Sequence, residues 1–98
     1  MMKTQLYVSP ENALYRRIEL QLMPNGKLRM EGVDMGDLVE EWWGDYDYEY
    51  FITIAAEDKD KLLFNLLKDK YAGHDTAVQD FRSYLEDRKI PYDWLTWA

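Results

Sequence analysis

The sequence predicts an α+β fold: a small, mostly antiparallel sheet in the order β-β-short α-β-α-α-β, with two helices packed on one face. Three observations predict it. Residues 14–23 and 45–55 alternate apolar and polar side chains at the strand period. Asn25-Gly26 separates the first of these from a return strand, a strong short-range hairpin signal. Leu62, Leu63, Leu66, Leu67 and Tyr71 recur at the three- and four-residue spacing of an amphipathic helix. The 98 residues suit one domain, 1–98, and carry no repeat, linker or low-complexity tract.

The elements follow in chain order. In the first strand Leu14, Ile18, Leu20 and Leu22 share one face, with Arg16 as the exception; Tyr15, Arg17, Glu19 and Gln21 share the other. The return strand runs near Lys27–Val33, with Leu28 and Met30 inward and Lys27, Arg29 and Glu31 outward. Asp34 or Asp37 can cap a short helix that reaches Trp43, since a carboxylate accepts bonds from the free N–H groups of a first turn. Leu38 and Trp42 would form its apolar stripe, and Gly44 suits the left-handed position after it. In the strand over 45–55, Tyr46, Tyr48, Tyr50, Ile52 and Ile54 share a face opposite Asp45, Asp47, Glu49, Phe51 and Thr53. The Leu-rich helix begins near Glu57 and ends at Gly73. A second helix spans Thr76–Arg88, where Thr76-Ala77-Val78-Gln79 fits a capping box. Ile90–Trp97 alternates as a last strand, with Pro91 at its start or at a sheet edge.

Charge is concentrated on part of this framework. Between Met30 and Lys59 stand ten carboxylates and no Lys or Arg, while the net charge of the whole chain is −7. Trp42, Trp43, Tyr46, Tyr48, Tyr50 and Phe51 lie in the middle of that run. A local field of this kind recruits a partner or a cation, whereas evenly spread charge mostly confers solubility. It argues against direct binding of nucleic acid. No cysteine is present, so thiol catalysis, disulfides and Cys-based zinc sites are excluded. The N-terminus leads into no secretory h-region and no apolar stretch approaches membrane-spanning length, so the expected location is cytoplasmic, with no membrane partner.

The candidate partner-binding residues are Glu40, Glu41, Trp43, Asp45, Asp47 and Glu49. On a strand Asp45, Asp47 and Glu49 share a face at about 6.5–7 Å spacing, so they repel one another and something must offset the repulsion. Three readings stand. Arg17, Lys27 and Arg29 neutralise them across strands. A basic protein partner pairs with them while the rings supply buried area. Or they hold Ca²⁺ or Mg²⁺, although the spacing is not that of a calcium-binding loop. Glu40 and Glu41 lie at the unfavourable end of the helix dipole. Of Trp42 and Trp43, one is expected in the core and one at least partly exposed. His74, the only histidine, reads as an exposed loop residue. No nucleophile constellation or phosphate-cradling loop is present, so no catalytic residue, metal or cofactor is assigned and an enzyme is not expected. The C-terminal Tyr92, Trp94, Leu95 and Trp97 read as mostly core, and an exposed pair among them would supply a homodimer contact.

Several phrases occur together: Asn25-Gly26-Lys27-Leu28 followed by Glu31-Gly32-Val33-Asp34-Met35-Gly36, Gly44-Asp45-Tyr46-Asp47-Tyr48-Glu49-Tyr50, and Phe81, Leu85 and Ile90-Pro91-Tyr92. The set, over most of residues 25–97, resembles a group of small acidic bacterial proteins without an assigned activity. Some proteins of this size and charge serve as immunity proteins against bacterial toxins. The resemblance implies a bacterial binding role and carries over no catalytic residue. The expectation is a binding module that occludes a basic site on a partner, such as a toxin. The alternatives are a nucleic-acid mimic acting on a DNA-binding protein and a structural or oligomerising domain.

Overall fold

The structure is a computed structural model that describes residues 2–10, 15–44 and 47–97. It has the expected α+β character. The chain divides into two compact units, Met1–Leu62 and Leu63–Ala98. The first is built on a four-stranded antiparallel sheet: β1 (Met2–Val8), β2 (Tyr15–Leu22), β3 (Leu28–Met35) and β4 (Asp47–Ile54), in spatial order β1-β2-β3-β4. Helix α1 (Asp37–Trp43) joins β3 to β4, and a 3-10 turn at Ala56–Asp58 leads into α2 (Lys59–Tyr71).

The β2–β3 hairpin forms where Asn-Gly places it. Leu22 pairs with Leu28, the Met23 and Lys27 backbones close the loop at 2.8 Å, and Gly26 takes φ 84, a conformation that favours glycine. The register then sorts the side chains. Ile18, Leu20 and Leu22 share a face with Leu28 and Met30, and with Tyr48, Tyr50, Ile52 and Ile54 of β4. Arg17, Glu19, Gln21, Arg29, Glu31, Asp47 and Glu49 lie on the opposite face. Leu14 and Tyr46, assigned to these faces by alternation, lie outside the described residues.

The unit adds one strand to the expected order and corrects two expectations. Strand β1 stands outside the expected order, and a bulge between Gln5 and Tyr7 shifts its register against β2 and breaks the two-residue period. Helix α1 is capped by Gly36 rather than by Asp34 or Asp37; Asp34 belongs to β3 and is buried. Among the described side chains of α1, Val39 is buried and lies with Val33 in the core where the helix meets β3 and β4. Of the expected apolar stripe, Trp42 is exposed and the Leu38 side chain lies outside the described residues. Gly44 does end the helix in the left-handed conformation, at φ 81.

The second unit holds the rest of α2 and α3 (Ala77–Asp87), which meet through Tyr71 and Phe81 with ring centroids 5.8 Å apart. Gly73, at φ 79, terminates α2 as expected. Thr76 occupies the cap of α3, but its hydroxyl donates to Asp80 (2.8 Å) instead of completing a box with Gln79. Helix α3 ends in a Schellman-type closure: Lys89 N–H bonds Glu86 O at 3.1 Å and Ile90 N–H bonds Leu85 O at 2.9 Å. That closure puts Lys89 at φ 56, in the left-handed region.

The expected last strand is absent, and residues 90–97 form an irregular segment. Its alternation has another cause. The Arg82 guanidinium sits 3.9 Å from the Trp94 ring centroid and 5.8 Å from that of Tyr92, and the Tyr92 hydroxyl donates to Glu86. Tyr92 and Trp94 therefore contact α3 through Arg82 and Glu86, but Trp94, Leu95 and Trp97 are all exposed rather than core. No helix among the described residues is long and apolar enough to cross a membrane.

Candidate functional site

The six candidate residues separate into three groups. Glu40 and Glu41 are exposed on α1. Trp43, also on α1, stacks on Tyr48 of β4 with centroids 4.8 Å apart and planes 9° from parallel. Asp47 and Glu49 are exposed on β4. Asp45 lies outside the described residues. The β4 register puts Asp47 opposite Met35 and Glu49 opposite Val33, on the face away from Tyr48 and Tyr50. Carboxylates and aromatic ladder thus occupy opposite faces of one strand. Trp42 and Trp43 are both 59% exposed, so neither takes the core position expected of one of them.

Among the described residues, Arg17, Lys27 and Arg29 do not neutralise Asp47 or Glu49 across strands. Strand β4 pairs with β3 alone, so Arg17 of β2 is two strands away. Its Nε lies 3.1 Å from Glu19 Oε1 without hydrogen-bond geometry, and Lys3 approaches the same carboxylate at 3.3 Å. Arg29 faces Thr53, donates to its hydroxyl at 3.3 Å and lies 5.3 Å from the Phe51 ring centroid. Among the described residues, none of Arg17, Lys27 and Arg29 forms an ion pair with Asp47 or Glu49.

The apolar face also holds a polar cluster that lies outside the six candidate residues. Arg16 grips Asp34 through two bonds, Nε to Oδ1 at 2.8 Å and Nη2 to Oδ2 at 2.9 Å. The Tyr50 hydroxyl donates to the same Oδ1 at 3.0 Å. The fork geometry of a guanidinium fits a carboxylate bidentately. The Arg16 bond holds the Asp34 carboxyl below the usual carboxylate range, and burial together with Asp34 pushes the Tyr50 phenol up. A Cβ on Gly32 would run into the Tyr50 ring, so glycine makes the space in which that ring lies across the sheet. The signal for this cluster was Arg16 itself: a cation that breaks an apolar face needs a carboxylate on a neighbouring strand.

The cluster anchors one end of a ring ladder. Tyr50 lies 5.7 Å from Tyr48, which stacks on the exposed Trp43. The chemistry on offer is ion pairing and ring stacking. Among the described residues, no group of three His, Cys, Asp or Glu could hold a metal ion. His74 is exposed, beside a shallow polar depression lined by Lys70, Asp80, Asp87 and Arg88. Searches against protein-family models, curated proteins and solved structures return no match to this chain.

Proposed function

We propose that this protein is a non-enzymatic binding module whose acidic, aromatic surface covers a basic site on another protein, in the manner of a bacterial immunity or inhibitor protein. One observation carries the reading. Glu40, Glu41, Asp47 and Glu49 are exposed, and none is engaged by the chain's own cations among the described residues. Exposed carboxylates without internal partners are free to steer a cationic surface: Glu40 and Glu41 lie beside the exposed Trp42 and Trp43 on α1, while Asp47 and Glu49 present charge on the face of β4 away from the ring ladder. Rings of this size supply buried area at little entropic cost.

The test is capture from the source lysate by immobilised chain and by a variant with Glu40, Glu41, Asp47 and Glu49 each changed to Lys. Proteins retained by the wild type and lost by the variant are expected. Identical proteins on both supports would sink the reading.

A second reading, an oligomerising module, is favoured by exposed apolar side chains on one sheet face: Met2, Met30 and Ile52, the last 66% exposed. It predicts a dimer in sedimentation that persists at high salt.

A further inference from the structure

We infer that β4 is a docking edge that accepts an extended cationic segment of another protein as a fifth strand of the sheet. The inference rests on the binding role proposed above and specifies how the partner is held. Strand β4 stands at the end of the sheet order and pairs with β3 through an unbroken register from Leu28↔Ile54 to Met35↔Asp47. Among the described residues, no backbone–backbone hydrogen bond outside the ladder involves it. In an antiparallel strand every second residue then turns its N–H and C=O outward, ready for pairing.

The two edges of the sheet differ. The β1 edge carries a lysine, Lys3, and a bulge between Gln5 and Tyr7, both of which discourage strand addition. The eight residues of β4, Asp-Tyr-Glu-Tyr-Phe-Ile-Thr-Ile, contain no Lys, Arg, Pro or Gly and show no register shift. Strand β4 is thus a straight, aromatic and β-branched edge with most of its side chains exposed.

Alternation dictates the occupant. On one face Asp47 and Glu49 stand about 7 Å apart and face Met35 and Val33, not cations. On the other, the accessible side chains are Tyr48 and Ile52. An added strand with Arg or Lys at every second residue would set cations beside the carboxylates and apolar side chains beside Tyr48 and Ile52. Main-chain bonds would supply affinity and the alternating side chains specificity, as in other strand additions. A second copy of this chain fits less well, because it brings its own Asp47 and Glu49 and a further net charge of −7 to the same seam.

The test uses the whole chain and an eight-residue peptide alternating Arg with Val. Two further versions carry N-methyl groups on every second amide, one in each phase. Strand addition predicts that one phase weakens binding at least about tenfold while the other binds like the parent, because only half of the peptide amides face β4. Amide protection should rise along residues 47–54. If both methylated phases bind like the parent, the contact is electrostatic; the edge is then not the site, although the acidic-surface reading survives. If no peptide binds while the Lys variant still loses its captured proteins, the edge alone is overturned. Protection of β4 in peptide-free protein that disappears on dilution would show a second copy there and overturn the proposal.

Discussion

Replacing Arg16 by Met removes the guanidinium that holds a nearly buried carboxylate, and replacing Asp34 by Asn removes the carboxylate instead. The two changes break the same pair, yet they should differ in cost. The Asp34 side chain is 12% exposed and that of Arg16 is 43% exposed. Without Asp34, Arg16 can turn to water, and the loss is that of charge-assisted bonds discounted for exposure, about 1–2 kcal/mol. Without Arg16, Asp34 keeps the Tyr50 hydroxyl and little water, which puts the cost nearer that of an orphaned buried charge, about 2–4 kcal/mol. The double variant should cost less than the sum, because the residues are in contact. Urea unfolding followed through the β3 amide signals measures all three. The acid limb supplies a second readout. In the wild type the Asp34 pKa is depressed, so its stabilisation is present above about pH 4 and is lost as pH falls through the folded value. In the Arg16→Met chain burial acts on Asp34 unopposed by Arg16 and raises its pKa, so stability should increase as pH falls from 7 toward 4. Equal costs for the two single variants, or acid limbs of the same sign, would refute this account of the cluster.

Three further outcomes are expected. Gly32→Ala drives a methyl into the Tyr50 ring and should destabilise the sheet unit by about 1–3 kcal/mol, with the Tyr50 ring resonances shifted in NMR. Lys89→Gly relieves a left-handed non-glycine residue in the closure of α3 and should raise stability by about 0.5–1 kcal/mol, read as a higher urea midpoint for the α3 amides. Arg82→Ala removes the cation between Tyr92 and Trp94, worth about 1 kcal/mol, and should free residues 90–97 to proteolysis while the α3 amides stay protected.

The elements legible in the sequence were those whose own period is intact. Alternation marked β2 and β4, Asn25-Gly26 placed the hairpin, and Gly44 and Gly73 closed their helices as such residues do. Failures came where a tertiary contact imitated or hid a local pattern. Strand β1, absent from the expected order, carries a bulge between Gln5 and Tyr7 that interrupts its period. The grip of Arg82 on Tyr92 and Trp94 produced a strand-like alternation in a segment that is not a strand. Asp34 read as a helix cap because its partner, Arg16, lies eighteen residues away in sequence but directly opposite it across the sheet. For the candidate site, exposure of Glu40, Glu41, Asp47 and Glu49 followed from composition and period. Their division from the Trp43–Tyr48 stack follows from the β3–β4 register, which a linear run of acids and aromatics does not display.

The claim that this acidic surface binds a cationic partner is tested most directly by titrating the chain against a captured partner over a salt series. Screening acts strongly on exposed charge pairs. The dissociation constant should rise at least about tenfold between about 0.05 M and about 0.5 M salt, and the dependence should flatten when Glu40, Glu41, Asp47 and Glu49 are neutralised to Gln or Asn. A constant that does not change with salt, or a slope that the neutralised chain reproduces, would contradict the account.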